Sequence, residues 1–186
     1  RVTGELIWKK HVAGVQVIQR EHMSDSGERL RLVMAPTKQH ERMEWLVEKA
    51  VELGIASIHF VQCSNSERPI VRMDRLHRVA IAAIKQSQRL HLPGLHDVVK
   101  MEQLIAQLSG GVHLLAHCRD DFPRQPIAVH NQSNDVTIWI GPEGDFTLRE
   151  IEIATEKGMI GISLGEARLR TETAALAALA AIQMQQ

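Results

Sequence analysis

Aromatic residues are scarce in this chain of 186 residues, where they make up 3% of the sequence and Tyr is absent. Its core therefore has to be built from Leu, Ile, Val, Ala and Met, within a hydrophobic content of 44% that is ordinary for a globular protein. The shortage of rings weakens any model in which successive bases stack along a single-strand platform. The length is enough for one sizeable α/β domain with a fragment of another.

Cysteine is also rare, since Cys63 and Cys118 are the only two and form no CxxC motif. Two distant thiols exclude a disulfide framework and favour a reducing, cytoplasmic location. The ten histidines form no HExxH motif or ligand-spaced cluster, so no metal is expected. Neither a run of eighteen apolar residues nor a signal peptide occurs, which predicts a soluble protein without a membrane partner. Because the sequence starts at Arg1 rather than Met, we expect an N-terminal part to be missing.

Neither sign of charge is in excess, since 22 basic residues balance 22 acidic ones. The distribution is uneven, however, because the segment from Arg68 to His91 holds six basic side chains against one acid, Asp74. Such a segment suits either a partner met on one face or a solvated helix face, and the charges alone leave both open.

The first part of the chain differs from the rest. Residues 1–23 alternate loosely between apolar and polar side chains, which predicts a β-hairpin or the remnant of a β-rich domain. The polar run at 24–28 is the best domain boundary. We therefore divide the chain into residues 1–23 and 24–186.

After this boundary, strand patterns and helix patterns alternate. Strands are predicted over 30–35, 55–63, 112–116, 136–140 and 160–164, and a loop over 122–133. Helices are predicted over 41–53, 75–90 with Asp74 as N-cap, 101–108, 148–157 with a Thr147–Glu150 capping box, and 171–186. This order predicts an α/β fold with a mainly parallel sheet and helices on both faces. Ligands of such sheets bind beyond the carboxyl ends of the strands.

Two glycine-containing segments follow predicted strands and lead into helices. The first is GPEG at 141–144, and the second contains Gly165 with Arg168 and Arg170 just before the last helix. Glycines allow close backbone approach, so these loops together predict a small-ligand site beside an anion-binding group. Taken singly, each loop could also be a plain turn or a knot of salt bridges. A GxxxxGK[ST] motif is absent, which argues against nucleotide triphosphate hydrolysis.

These segments resemble a known family. GPEGDF at 141–146 and LGEARLRTETAALAA at 164–178 look like the signature segments of SPOUT-class methyltransferases. With PTK at 36–38, RMEW at 42–45, EKAVELG at 48–54 and KQSQR at 85–89, they are most similar to the RsmE family, which methylates N3 of a uridine in small-subunit ribosomal RNA. The resemblance implies a C-terminal trefoil knot, a homodimer, and an N-terminal PUA-like β-barrel of which residues 1–23 would be the remnant.

The resemblance further implies that S-adenosylmethionine binds in a pocket of backbone and apolar groups, with Leu164 and Leu169 flanking the adenine. The implied pocket residues are Leu115, Ala116, His117, Ile140, Gly141, Pro142, Glu143, Gly144, Ser163, Leu164, Gly165, Leu169 and Arg170.

The expected chemistry follows from the acidity of the base. Uridine N3 reacts only after its proton leaves, and the resulting anion spreads onto O2 and O4. We expect Arg170 to stabilise this anion, and Glu143 or Glu172 to accept the proton or to hold Arg170 in place.

The RNA partner would meet basic side chains along the first half of the chain. The candidates for phosphate contacts are Lys38, Arg42, Lys49, Arg68, Arg72, Lys85 and Arg89. Two alternatives remain open at this point: a SPOUT methyltransferase acting on another nucleotide, such as a ribose hydroxyl or a guanine, and a non-enzymatic RNA-binding assembly factor.

Overall fold

The structure of the chain, a computed structural model, describes residues 2–9, 12–21, 30–67, 70–108, 110–130 and 135–184. The predicted domain boundary at 24–28 lies outside these segments. Along the described segments, no helix is long and apolar enough to cross a membrane. The same segments hold no group of three or more His, Cys, Asp or Glu side chains arranged for a metal ion.

The N-terminal hairpin consists of β1 (Val2–Lys9) and β2 (Val12–Arg20), which pair antiparallel with an irregularity after Thr3. Most of its apolar side chains are exposed, including Trp8 at 70%. The predicted hairpin is therefore confirmed, while its origin in a PUA-like barrel stays a prediction.

The rest of the chain forms a seven-stranded sheet in the order β5-β4-β3-β8-β6-β9-β7, in which every neighbouring pair is parallel. The strands are β3 (Leu30–Met34), β4 (Ser57–Gln62), β5 (Gly94–Lys100), β6 (Val112–Ala116), β7 (Gln125–Pro126), β8 (Val136–Ile140) and β9 (Ile160–Ser163). The predicted parallel sheet is thus confirmed. Its central strands β3 and β8 are buried on both faces, which explains why they are almost continuously apolar.

Helices cover both faces of the sheet, as predicted. They are α1 (His40–Glu52), α2 (Met73–Ser87), α3 (Met101–Ala106), α4 (Leu148–Glu156) and α5 (Thr171–Gln183), with a 3₁₀ turn at Ile127–His130. Apolar side chains of α1, α2 and α5 form one core with the first face, and those of α3 and α4 form a second core with the other face.

Three local predictions need correction. Asp74 is not the N-cap of α2, because the helix begins at Met73 and Asp74 lies in its first turn, where a carboxylate still favours the helix dipole. Strand β5 was missed, because it is an edge strand with many exposed positions and lacks a buried apolar run. The predicted loop over 122–133 contains β7 and the 3₁₀ turn. By contrast, the Thr147–Glu150 capping box is confirmed.

The stability of the domain should depend on pH through His59. Its ring stacks on His96 at 4.0 Å between centroids, and its Nε2 lies 3.0 Å from Ser57 Oγ. Burial, with smaller contributions from the charges of His96 and Arg31, lowers the pKa of His59 to about 4. The unfolded chain, with a histidine pKa near 6.5, therefore binds more protons than the folded chain between these two values.

Stabilisation from neutral His59 is fully present above pH 6.5 and is lost as the pH falls toward 4. We expect the free energy of unfolding to drop by roughly 1–2 kcal/mol between pH 7 and pH 4.5, a figure reduced for solvent screening of a partly exposed ring. Urea denaturation at the two pH values measures the drop, and His59→Gln should make it smaller. An equal drop in that variant would contradict the assignment.

Candidate functional site

A cavity of about 700 Å³ lies beyond the carboxyl ends of β6, β8 and β9, next to the start of α5. Because β6 stands between β8 and β9, the two glycine loops are two strands apart, or roughly 10 Å. Residues 117–119, which follow β6, fill the edge between them and also line the cavity. Three loops therefore enclose the site: the two glycine loops and the segment after β6, which the resemblance also placed in the pocket through Ala116 and His117.

The loop after β8 is a tight and well-braced turn. The Asp145 N–H donates to the Pro142 carbonyl at 2.9 Å, and Asp145 itself has a φ of 62°. A Cβ at Gly141 would lie 3.1 Å from the ring of Phe146, so this position favours glycine. The Asn65 side-chain amide donates to the carbonyls of Gly144 and Asp145 at 3.2 and 3.0 Å. The backbone groups of this loop are thus held in place before any ligand binds.

Asp145 joins this loop to the one after β6. Its Oδ2 accepts the Cys118 N–H at 2.8 Å, and its Oδ1 accepts the Phe146 N–H at 2.8 Å. Asp145 was not among the predicted site residues, although an Asp beside a glycine in a turn is one of the residues that tolerate positive φ.

His117 is a buried polar side chain in the wall of the cavity. Burial lowers its pKa, and this effect exceeds the raising effect of Asp145. Its Nδ1 accepts the Arg119 N–H at 3.3 Å, and its ring packs edge-on against Phe122 at 6.3 Å. The lowered pKa favours the neutral imidazole of His117, which offers a hydrogen-bonding group to the cavity.

The loop after β9 requires glycine at 165 for its backbone conformation. Gly165 has a φ of 112°, which L side chains rarely adopt, and its N–H donates to Ser163 Oγ at 3.3 Å. A Cβ there would meet no atom within 4 Å. From the sequence, we expected Gly165 to let a ligand approach the backbone closely. The structure shows a second reason for glycine at this position, which is the positive φ of the backbone.

The two predicted carboxylates have separate partners. Glu172 is buried, and its Oε1 forms an ion pair with Arg42 Nη1 at 3.1 Å. Glu143 is exposed at the rim, and its Oε1 accepts the Lys38 N–H at 3.3 Å. Among the described residues, neither carboxylate forms an ion pair with Arg170. The role of Glu143 or Glu172 therefore stays a prediction.

Breaking the Arg42–Glu172 pair should destabilise the fold. Arg42→Met would leave a carboxylate whose side chain is 8% exposed without its ion-pair partner, and Arg42 itself is 31% exposed. We expect a loss of about 1–3 kcal/mol, below the value for fully buried pairs because water reaches Arg42. Chemical denaturation measures the loss. The double variant Arg42→Met with Glu172→Gln should recover part of it, and a double variant that is no more stable than Arg42→Met would contradict this explanation.

Nearly all of the cofactor residues implied by the resemblance line the cavity. These are Ala116, His117, Ile140, Gly141, Pro142, Glu143, Gly144, Ser163, Leu164, Gly165, Leu169 and Arg170. Leu115 does not line it, because its side chain is buried in the core on the other face of the sheet with Val33 and Trp139. Successive residues of a strand point to opposite faces, so Leu115 and Ala116 cannot both face the cavity with their side chains.

Sequence reasoning missed Arg124 as a residue of the site. It lines the cavity, and its Nη1 donates to the His117 carbonyl at 3.2 Å while its Nη2 pairs with Asp120 at 2.5 Å. The segment that carries Arg124 has no strong periodic pattern, so the only available signal was a cation in a predicted loop. Cys118, Arg119, Asp145, Ala167 and Arg168 also line the cavity.

The cations proposed for RNA divide between the two edges of the sheet. Lys38, Arg42 and Arg72 lie at or just before the N-terminal ends of α1 and α2, which follow β3 and β4, so they belong to the edge with the cavity. Lys38 forms an ion pair with Glu67. Arg68 lies outside the described residues.

Lys49, Lys85 and Arg89 lie at the other ends of these helices. Lys49 contacts Glu48 at 2.7 Å and Glu52 at 2.8 Å, and these hydrogen bonds raise its pKa. Arg89 donates to the Glu52 carbonyl at 2.9 Å, at the C-terminal end of α1. These three cations are remote from the cavity, and two of them have local partners in α1.

The fold and the site together define an α/β domain with a small-ligand cavity at the carboxyl edge of a parallel sheet. Residues 24–183 match the model of the RNA methyltransferase domain, and the chain belongs to this family.

The relatives of the chain agree with this assignment. It is 31% identical over 158 residues to Ribosomal RNA small subunit methyltransferase E of Rickettsia conorii, a match that covers 83% of this chain and 64% of that protein. The chain thus spans slightly less than two thirds of the length of the first curated relatives it matches. The match confirms the resemblance to the RsmE family that the sequence indicated.

Solved structures are similar over nearly the whole chain. The crystal structure of a probable rRNA-methyltransferase from Porphyromonas gingivalis has a TM-score of 0.86 at 36% identity, covering 100% of this chain and 79% of that one. Ribosomal RNA small subunit methyltransferase E from Neisseria gonorrhoeae, bound to S-adenosyl methionine, has a TM-score of 0.79 at 28% identity and covers 98% and 78%.

Proposed function

We propose that the chain methylates N3 of a uridine in the 16S ribosomal RNA of the small subunit, with S-adenosylmethionine as the methyl donor. The observation that carries the proposal is the cavity of about 700 Å³ between two glycine loops in a chain of the RNA methyltransferase family. Its size is within the range of small-molecule sites. A structural neighbour with 28% identity is bound to the same donor.

The residues present fit this cofactor. Leu164 and Leu169 offer apolar surface for an adenine, and the braced turn from Pro142 to Asp145 offers fixed backbone groups for polar edges. When bound, S-adenosylmethionine supplies an electrophilic methyl group. The protein adds mainly proximity and alignment, which contribute up to roughly 7–11 kcal/mol in well-oriented systems.

The chain's own chemistry concerns the proton and the charge of the base. We propose that Arg170, at the start of α5 and in the cavity wall, stabilises negative charge on O2 or O4 once the N3 proton has left. Glu143 is the better candidate to accept that proton, because it is exposed at the rim while Glu172 is buried and paired with Arg42.

The proposed trefoil knot has support in the path of the chain. Helix α5 packs against α1, β3, β8 and the 3₁₀ turn, although it follows β9, which lies two strands away from β8. Residues 164–170 must therefore cross the ends of β6 and β8 on the way to α5. Threading of α5 under the loops that line the cavity would satisfy this path.

The proposed assembly is a homodimer acting on ribosomal RNA in the cytoplasm. Ala177, exposed on α5, belongs to the Ala-rich run of that helix and suits close approach of a second copy.

We further propose that residues 1–23 belong to a PUA-like barrel that assists RNA binding. Lys38, Arg42 and Arg72 are the cations placed best for phosphate contacts near the cavity.

Incubation with labelled S-adenosylmethionine and small ribosomal subunits from a strain lacking the activity tests the proposal. We expect label on one uridine, located at N3 by mass mapping of the digested RNA. Label on a ribose or a guanine would replace the uridine assignment with another nucleotide. Binding of RNA without any binding of S-adenosylmethionine would favour a non-enzymatic assembly factor.

A further inference from the structure

A second, smaller depression of about 330 Å³ lies beside the cofactor cavity. Its walls come from the first turns of α1 and α5, and its lining residues are Glu41, Arg42, Trp45, Arg170, Glu172 and Thr173. Arg42, Arg170 and Glu172 also line the larger cavity. The two spaces are therefore neighbours that share these three residues in their walls.

The unusual member of this pocket is Trp45. All six aromatic residues of the chain lie in described segments, and of these only Trp8, on the N-terminal hairpin, and Trp45 are exposed. Trp45 is 47% exposed, although it belongs to a helix whose other face is fully buried. An exposed indole ring gives up much of its hydrophobic stabilisation, so its position next to the cavity calls for a binding role.

The polar groups around the ring are arranged for an uncharged planar ligand. Arg42 already neutralises Glu172 at 3.1 Å, whereas no carboxylate in the described part of the chain forms an ion pair with Arg170. The pocket thus presents a flat ring, one guanidinium without a carboxylate partner, the Thr173 hydroxyl and the exposed Glu41 carboxylate. Unpaired RNA bases are recognised by this combination of stacking and edge hydrogen bonds.

We propose that this pocket binds an unpaired pyrimidine base of the RNA substrate, stacked on Trp45 with its edge toward Arg170. The proposal rests on the proposed function and deepens it, since it names where the base lies. A base in the pocket would have Arg170 on the side that faces the cofactor cavity. The same guanidinium would then bind the edge of the base and stabilise the negative charge that develops on it during methyl transfer. A base taken out of its stack pays an unstacking cost, which the indole ring offsets.

The test compares Trp45→Ala and Trp45→Phe in methylation of small ribosomal subunits. Loss of one stacking partner corresponds to about 1–3 kcal/mol per base, so kcat/KM of Trp45→Ala should fall by roughly 5- to 150-fold. Trp45→Phe should stay within about threefold of the wild type, because a phenyl ring still stacks. The affinity for S-adenosylmethionine, measured by calorimetry, should change less than twofold in both variants. Ile81→Ala is the matched control, since Ile81 is an exposed apolar residue of α2 at 40%.

Direct binding separates this proposal from the proposed function. Oligouridylate should quench the fluorescence of the wild type more than that of Trp45→Phe. If quenching is seen but no methyl group is transferred, the pocket stands and the enzymatic function fails. Trp45→Ala with the kcat/KM of Ile81→Ala would overturn the pocket. So would a loss of cofactor affinity, or a change from dimer to monomer in sedimentation, which would make the ring part of an interface between copies.

Discussion

Arg170→Ala is expected to lower kcat for methyl transfer by about 10²–10³-fold, the usual cost of removing one preorganised group that stabilises developing charge. The guanidinium lines the cavity and has no carboxylate partner among the described residues, so its charge is available to a bound base. Affinity for S-adenosylmethionine should remain within a few-fold, because the cofactor would contact mainly the backbone and apolar side chains. Single-turnover kinetics with small subunits and calorimetry with the cofactor measure the two quantities.

Arg168→Ala provides the matched control, since Arg168 is two residues away in the same loop and also lines the cavity. It should leave kcat within a few-fold. Arg170→Lys should retain part of the rate, because it keeps the charge but loses the planar fork. Wild-type turnover in Arg170→Ala would remove this residue from the mechanism.

Gly165→Val is expected to weaken binding of S-adenosylmethionine by roughly 10- to 100-fold, because a β-branched residue at a φ of 112° costs about 1–3 kcal/mol of strain and would displace the loop. The displacement would move the backbone that lines the cavity between β9 and α5. Calorimetric titration with the cofactor measures the loss.

Gly158→Val separates this effect from a general loss of stability. Gly158 also has a positive φ, at 82°, and a Cβ there would likewise meet no atom within 4 Å. It follows α4 and does not line the cavity. Both variants should lose stability in denaturation, but only Gly165→Val should lose cofactor affinity. Undiminished binding in Gly165→Val would place the cofactor elsewhere.

The strands at the centre of the sheet were predictable because burial on both faces produces continuous apolar runs. Val112–Ala116 and Val136–Ile140 have the predicted bounds. Edge strand β5 was not predictable in this way, since it is paired on one side only and many of its side chains are exposed. Strand β5 forms because it pairs with β4, and the local sequence of β5 does not reveal this pairing.

The glycine loops of the site were predictable because glycine marks local backbone requirements. The residues that brace the loops around the cavity were not, since Asn65 contacts the loop after β8 from a distant segment and Arg124 contacts His117 from a segment without periodicity. Leu115 is a different case, because its side chain is buried away from the cavity while its place in the cofactor pocket stays a prediction. A resemblance to a family tells which positions in the chain lie near the ligand. It does not tell which side chains face the ligand, because successive side chains of a strand point to opposite faces of the sheet.

The position of β3 at the centre of the sheet has a consequence for how the chain is made. Its neighbour β8 is synthesised about a hundred residues later, so one edge of β3 stays open until then. At typical translation rates this interval lasts roughly 5–20 seconds. During that time the unpaired backbone groups of this apolar strand can pair with other chains, which favours aggregation. The risk ends when β8, in the C-terminal part of the chain, pairs with β3.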